Sequence, residues 1–190
     1  MTLDGDVEVV VLSAADYARL TGEPPAVRTR TGRGIGRSGN GSCRWTMRFL
    51  LDTSVLSEPV KPRPDPRVEA WLDEQPLEDL AISALSFGEI WVGVLPLGYG
   101  HRRTSLTQWL WMVLPRRFAG RILPVNAVIA LEWGRLTFEA KRRGRPIDVA
   151  DALLVATALV RKLTIVTRNE RHLAGWGPRV INPWSDRTSD

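Results

Sequence analysis

The chain has 190 residues and a formal net charge of +5, and its 44% hydrophobic and 25% charged residues are typical of a globular protein with one sizeable core. No run of about 18 apolar residues occurs, so we expect no membrane-spanning helix. The acidic N-terminus does not look like a signal peptide, and a single cysteine excludes an internal disulfide, which together suggest a cytoplasmic protein. The basic balance makes nucleic acid a reasonable partner.

Three stretches of the chain differ in composition. Residues 1–23 are acidic and contain one strand-like run and one short helix (VEVVVLSAADYARL), which cannot bury a core alone. Residues 24–46 combine arginines and glycines with no acid, and this pattern predicts a disordered linker. Regular alternation of apolar runs and helical patterns begins at Met47. We therefore expect a folded domain over residues 47–184 and a flexible tail over residues 185–190.

Short apolar strands alternate with helices in this main body. Strands are predicted at residues 48–51, 80–83, 121–125 and 163–167, with a possible fifth at 180–181. Helices are predicted at residues 65–74, 84–97, 104–114, 126–143 and 148–162. The second is nearly all-apolar and looks buried, and the last looks buried on nearly every side. The alternation indicates an α/β fold with a central, mainly parallel sheet of four or five strands flanked by helices.

Three carboxylates occupy unusual positions among these apolar elements. Asp52 ends the first strand, Glu89 lies inside an apolar helix, and Asp151 opens the helix DALLVATAL. Asp52 could instead cap a helical turn, and Asp151 could lie in the first turn of a helix capped by Asp148. Glu89 has no Lys or Arg within a helical turn, and a buried, unpaired carboxylate is strongly unfavourable. Glu89 is therefore the acid that most needs a functional explanation.

A divalent cation would relieve the repulsion among three acids that meet at the carboxyl ends of the strands. Ligand sets made only of oxygen suit Mg²⁺ or Mn²⁺. The histidines His101 and His172 and the lone Cys43 are too few and too scattered for a zinc cluster. The sequence therefore predicts a Mg²⁺ site, with Mn²⁺ as the alternative metal.

Several blocks of the main body together resemble a known family. They are MRFLLDTSVLSEP, ISALSFGEIWVGV, FAGRILPV, DVADALLVATAL, LTIVTRN and VINPW. In order and spacing they are similar to PIN-domain toxins of the VapC group, close to the FitB-like members. This resemblance implies the toxin component of a type II toxin–antitoxin system, a metal-dependent endoribonuclease that hydrolyses RNA phosphodiester bonds. It also implies a cognate antitoxin as partner and a homodimeric assembly.

The family's acidic residues match three positions of this chain. By resemblance, the catalytic and metal-binding residues are Asp52, Glu89 and Asp151. Many members place a fourth acid after the last core strand, where this chain has Asn169. An amide oxygen can still bind a metal or a water on it, but it adds no negative charge, so a second metal would be held weakly.

Four further residues are candidates for supporting roles. Thr53, Ser54 and Thr167 carry hydroxyl groups that could orient a carboxylate, and Arg168 could hold a flanking phosphate or be an ordinary surface arginine. Two other functions stay open at this point. One is a non-catalytic module that binds nucleic acid or protein, and the other is a nuclease directed at DNA.

The N-terminal piece has a resemblance of its own. VEVVVLSAADYARLTG is similar to the last strand and helix of the DNA-binding part of a Phd/YefM-type antitoxin, a protein usually encoded directly upstream of such toxins. One interpretation is that the toxin begins at Met47 and that a frameshift or misassigned start codon adds the antitoxin-like remnant. The alternative is an ordinary N-terminal extension.

Overall fold

A computed structural model describes residues 47–185, and the predictions for residues 1–46 and 186–190 lie outside that range. The described strands form one sheet in which every neighbouring pair is parallel. They are β1 (Phe49–Leu51), β2 (Leu80–Ser83), β3 (Ile122–Leu123), β4 (Thr164–Val166) and β5 (Val180–Ile181), in the spatial order β3-β2-β1-β4-β5. The predicted α/β class with a parallel sheet is confirmed.

The central strand β1 lies where the strand order reverses. From β1 the chain adds β2 and β3 on one side and then returns to add β4 and β5 on the other. Leu50 of β1 pairs with Ala81 of β2 and Ile165 of β4, and all three residues are fully buried. In open parallel sheets, ligands bind beyond the carboxyl ends of the strands at such a reversal. The residues that follow β1 and β4 therefore occupy the favoured position for a site.

Helices cover both faces of the sheet. They are α1 (Thr53–Leu56), α2 (Pro66–Glu74), α3 (Ala84–Val94), α4 (His101–Gln108), α5 (Leu114–Arg117), α6 (Ala127–Arg142), α7 (Val149–Arg161) and α8 (Glu170–Leu173). A π-helical turn at Trp109–Val113 joins α4 to α5, and 3-10 turns lie at Glu58–Val60 and Leu77–Asp79. Within residues 47–185, no helix is long and apolar enough to cross a membrane.

Two hydrophobic cores lie on opposite faces of the sheet. The first packs α1 to α5 against the sheet and includes Leu51 and Val68. The second packs α6, α7 and α8 against the other face and includes Leu50 and Ile129. Neighbouring residues of β1 enter different cores because successive side chains of a strand point to opposite faces. This explains why β1 is apolar throughout rather than alternating.

Most predicted elements match the structure, with differences at their ends. The helix predicted at residues 104–114 begins earlier, as α4, and its second half is the π-helical turn. The predictions omitted α1, α8 and the two 3-10 turns. Such elements have only three or four residues, which is too few for a helical period to be visible in the sequence.

The prediction that the helix containing Glu89 is a buried helix is wrong. In α3 only Ser86, Ile90 and Val94 are buried, at helical spacing, whereas Val92 is 67% exposed and Glu89 is also exposed. Apart from Glu89, the exposed residues of α3 are glycine and valine, so the composition of the helix does not indicate which face meets solvent. By contrast, α7 is buried along most of its length, as predicted.

The loop between α1 and α2 is held by a buried glutamate. The carboxylate of Glu58 accepts hydrogen bonds from Lys61 Nζ at 2.5 Å and from the backbone N–H of Asp65 at 2.9 Å. Asp65 in turn caps α2 and accepts hydrogen bonds from Arg67, which lower the pKa of Asp65 to about 2. These contacts fix the loop that carries Lys61 towards the exposed side of α3.

Candidate active site

Asp52 follows β1 directly and is the most constrained of the predicted acids. Its Oδ1 accepts a hydrogen bond from the backbone N–H of Thr53 at 2.7 Å, so it caps α1 as the sequence allowed. Its Oδ2 accepts two more, from Ser54 Oγ at 2.7 Å and from Thr167 Oγ1 at 2.6 Å. Because hydrogen bonds from three directions fix the carboxylate, capping and a functional role are compatible at this position.

Thr167 connects the ends of the two central strands. It lies directly after β4 and is fully buried. Its hydroxyl donates to Asp52 and accepts from the backbone N–H of Asn169 at 2.9 Å. The backbone N–H of Arg168 donates a hydrogen bond to Ser54 Oγ at 3.2 Å. Two hydrogen bonds, from Thr167 to Asp52 and from Arg168 to Ser54, therefore join the turn after β4 to the turn after β1. The two turns therefore form one rigid unit at the carboxyl edge of the sheet.

Glu89 reaches this unit from the neighbouring helix α3. Its Oε2 accepts a hydrogen bond from Thr53 Oγ1 at 2.6 Å, so Thr53 contacts both Asp52 and Glu89. Partial burial of the carboxyl group raises the pKa of Glu89. The hydrogen bond from Thr53 opposes that shift, while the negative charges of Asp52, Asp151 and Asp148 add to it. Although Glu89 as a whole is exposed, its carboxyl group is partly buried and lies near three other acidic side chains.

Asp151 approaches from the first turn of α7. Asp148 caps this helix by accepting a hydrogen bond from the backbone N–H of Ala150 at 2.9 Å. Asp151 lies three residues after the cap, in the first turn, as predicted. Partial burial raises the pKa of Asp151, and the charges of Asp52 and Asp148 raise it further. His172 acts in the opposite direction, with its Nδ1 at 4.0 Å from Asp151 Oδ2.

The predicted acids lie within range of one another's charge, since Asp52 acts on both Glu89 and Asp151. Within residues 47–185, however, no three Asp, Glu, His or Cys side chains converge into a ready-made ligand set. The donor set fits a hard divalent cation, because it consists of carboxylate oxygens whose negative charges act on one another. Binding a cation there would require the carboxylates to draw closer together.

The remaining candidate residues surround this acidic group. Asn169 Nδ2 lies 3.2 Å from His172 Nδ1, on the side of the site that Asp151 occupies. Arg168 is exposed, and its guanidinium stacks over the ring of Trp184 at 5.7 Å. Sequence patterns alone did not place His172 at this site. A histidine three residues after Asn169 was the available signal, and its meaning depended on a four-residue helix, α8, that was not predicted.

A groove opens beside Glu89, between the α1–α2 loop and helices α3 and α4. It has a volume of about 280 Å³. Ile90 and Trp109 contribute apolar surface, while Lys61 and Arg102 contribute positive charge. The groove is therefore apolar with basic groups, and it is adjacent to one of the three acids.

Comparison with known proteins identifies the family of this chain. The PIN domain model matches residues 49–174. Toxin FitB of Neisseria gonorrhoeae is 39% identical over 138 residues, which cover 73% of this chain and 99% of FitB. The VapC ribonuclease Y4jK of Sinorhizobium fredii is 35% identical over 136 residues, which cover 72% of this chain and 97% of that protein. The tRNA(fMet)-specific endonuclease VapC of Shigella flexneri is 28% identical over 141 residues, covering 73% and 99%.

Solved structures agree with this assignment. The structure of FitAB bound to a DNA fragment superimposes with a TM-score of 0.70 at 36% identity, and covers 75% of this chain and 99% of the matched chain. The crystal structure of FitAcB from Neisseria gonorrhoeae gives a TM-score of 0.68 at 38% identity, covering 73% and 99%. The parallel sheet with this strand order, and the acids at its carboxyl edge, therefore belong to a protein of the PIN domain class.

The chain belongs to the PIN domain family, and within it to the VapC and FitB toxins of toxin–antitoxin systems. Relatives in this group are named as ribonucleases or endonucleases, and PIN domain nucleases are hydrolases that generally use divalent metal ions. The predicted family and enzyme class are confirmed at this level. The antitoxin-like resemblance of residues 1–23 gains no support from these matches, and those residues lie outside the described range.

Proposed function

We propose that this protein is a cytoplasmic toxin that cleaves RNA with Mg²⁺ held by Asp52, Glu89 and Asp151, with Mn²⁺ as a possible substitute. The observation that carries the proposal is the bonding of Asp52 at the reversal point of the sheet, where Ser54 and Thr167 fix its Oδ2. Three hydrogen bonds at one carboxylate exceed what capping a four-residue helix requires.

Each residue of the proposed metal site has a distinct role. Asp52 is held in one orientation, and Glu89 is tied to it through Thr53. Asp151 approaches from the other core, and Asn169 supplies an amide oxygen without further negative charge. When bound, the cation stabilises charge on the phosphate and makes water a better nucleophile. Partial burial raises the pKa of Glu89 and Asp151, the charges of neighbouring acids raise it further, and a bound cation would stabilise the charged forms of both.

The test is a cleavage assay with residues 47–190 and matched RNA and DNA substrates. We expect Mg²⁺-dependent cleavage of RNA that stops with EDTA and falls at least about 100-fold in Asp52→Asn and Asp151→Asn. Asp73→Asn, an exposed carboxylate on α2, is the control and should leave cleavage unchanged. If the protein cleaves only DNA, then DNA and not RNA is its substrate. If it binds nucleic acid without any Mg²⁺-dependent cleavage, the non-catalytic module is supported.

We also propose that the groove beside Glu89 accepts a segment of the cognate antitoxin. An amphipathic helix with acidic flanking residues would match the apolar surface of Trp109 and Ile90 and the charges of Lys61 and Arg102. A segment bound there would lie directly against the carboxylate site. Inhibition would then follow from occupation of the site, without any change of fold.

The proposed homodimer is supported by the outer face of α6. This helix exposes Val128, Leu131 and Phe138 on the side opposite its buried residues, with exposed fractions of 59%, 78% and 63%. Gly134 lies between Leu131 and Phe138, and a Cβ there would meet nothing within 4 Å. A glycine inside a helix costs about 1 kcal/mol relative to alanine, and packing within the chain does not require this one. Close approach of a second α6 would use it.

For the N-terminal segment, we propose that residues 1–23 derive from an antitoxin and that the toxin itself begins at Met47. The support is the resemblance of VEVVVLSAADYARLTG to an antitoxin strand and helix. Mass spectrometry of the protein purified from its native cells tests this proposal. A mature protein that begins at Met47 is expected, and peptides from residues 1–46 would contradict it.

A further inference from the structure

Arg145 lies in the loop between α6 and α7 and is attached to the segment that carries His172. Its Nη2 donates a hydrogen bond to the backbone carbonyl of Arg171 at 2.9 Å, and the carbonyl of His172 lies at 3.5 Å. The ring of His172 is in turn 4.0 Å from Asp151. Arg145 is thus an exposed cation that is linked to Asp151 through one intervening residue, His172.

The position of the Arg145 guanidinium is fixed on several sides. It stacks over the ring of Trp176 at 5.2 Å, and Arg143 stacks over the same ring at 5.4 Å. Trp176 is buried, and its Nε1 donates to the carbonyl of His172 at 3.2 Å. Gly175 has φ +85°, and a Cβ there would lie 3.3 Å from Arg145 Nη1, so the backbone passes close to the guanidinium. An arginine held in this way loses little further freedom on binding an anion.

The guanidinium still has donors to offer. The hydrogen bonds to the carbonyls of Arg171 and His172 both come from Nη2, which leaves the N–H groups of Nε and Nη1, and the side chains of Arg143, Arg145 and Arg171 are exposed. Because Trp176 is buried, its ring is not available to stack on a base. Arg145 is held by Trp176 and the backbone, Arg143 is held by Trp176 and an ion pair with Glu139, and Arg171 is exposed beside them. The chemistry presented here is therefore a group of cationic side chains suited to phosphate groups, with no means of reading sequence.

We infer that Arg143, Arg145 and Arg171, here called the arginine strip, bind the phosphate backbone of the RNA next to the cleaved bond, on the α8 side of the site. This inference rests on the proposed ribonuclease function. A polyanion that enters a cleft lined by Asp52, Glu89 and Asp151 meets repulsion, and cations beside the cleft offset it. The arginine strip is a cationic surface that adjoins Asp151 through His172, and Arg145 is its most constrained member.

The test measures binding of a single-stranded RNA oligonucleotide as a function of salt, in an Asp52→Asn background that does not cleave. Each phosphate contact contributes about 0.7 to the slope of log affinity against log salt for single strands. Arg145→Gln is expected to lower that slope by about 0.7 and to weaken binding roughly 5- to 20-fold near 0.1 M salt. In the cleaving protein, it should raise KM with little change in kcat. An unchanged slope would overturn the inference.

Arg161→Gln is the matched control, since this exposed arginine lies at the opposite end of α7 and its replacement changes the net charge equally. Its salt slope should equal that of the parent protein. Arg171→Gln keeps the backbone carbonyl that Arg145 binds, so it answers the question even if Arg145→Gln unfolds, and it should lower the slope as well. If wild-type protein fails to cleave RNA while the slope still depends on Arg145, the ribonuclease proposal fails and the arginine strip stands.

Discussion

Replacing Thr167 by valine removes a single hydroxyl from the centre of the proposed site while keeping the shape of the side chain. The hydroxyl donates to Asp52 Oδ2 at 2.6 Å and accepts from the backbone N–H of Asn169 at 2.9 Å, and the residue is fully buried. A hydrogen bond to a charged group contributes about 1.5–3 kcal/mol. For a domain of this size, that corresponds to a fall in Tm of roughly 5–10 °C.

If Asp52 binds the cation, loss of this hydroxyl should weaken metal binding as well as stability. Residues that orient a metal ligand typically affect metal affinity or activity by about 10- to 100-fold. We therefore expect Thr167→Val to weaken Mg²⁺ or Mn²⁺ binding by about that factor, measured by calorimetry at a temperature where the variant is folded. RNA cleavage should fall similarly and recover in part at high metal concentration.

Thr157→Val provides the comparison. Thr157 is also fully buried, and its hydroxyl donates to the carbonyl of Leu153 at 2.7 Å within α7, away from the acids. Its replacement should affect stability alone and leave metal affinity unchanged. If Thr167→Val binds metal as tightly as Thr157→Val, the hydroxyl does not position a metal ligand, and the reasoning about Asp52 is wrong.

Three further outcomes are expected. Because burial and neighbouring acids raise the pKa of Glu89, its charge opposes folding above the usual carboxyl pKa, and Glu89→Gln should raise metal-free stability at pH 7 in urea unfolding. Solvent screening of this exposed side chain keeps the gain small, and a gain that persists below about pH 4 would contradict this cause. Leu131→Glu, on the exposed face of α6, should give a monomer in light scattering, whereas Val92→Glu on α3 should not. Arg102→Glu should weaken antitoxin binding about 10-fold or more in titration calorimetry with RNA cleavage retained, and equal affinity would remove the groove from the antitoxin interface.

The fold and the three acids could be anticipated because their signals are local. A run such as Phe49–Leu51 is apolar at every position, which indicates a strand buried on both faces, and an acid directly after it points to the carboxyl edge of a sheet. The exposure of Glu89 could not be anticipated in the same way. Its helix faces solvent with residues such as Val92 and Gly93, so composition alone did not distinguish the two faces.

Contacts between particular distant residues could not be derived from the sequence, although it marked Thr167 as a hydroxyl that could orient a carboxylate. The hydrogen bond from Thr167 to Asp52 depends on the pairing of β1 with β4, and that pairing is not encoded in either strand by itself. Arg145 appeared as one arginine among several in a polar loop. Its position relative to Trp176 and His172 follows from how the loop before α7 meets the segment after β4.

The bond between Asp52 and Thr167 spans 115 positions of the chain. A nascent polypeptide emerging from the ribosome therefore exposes Asp52 and Glu89 long before β4 and Thr167 leave the exit tunnel. An unfinished toxin would lack the central strand pairing and the anchored carboxylate, so it would be harmless during its own synthesis. Fragments ending before Thr164 should accordingly fail to cleave RNA, and activity should appear only in chains extended past the turn that holds Asn169.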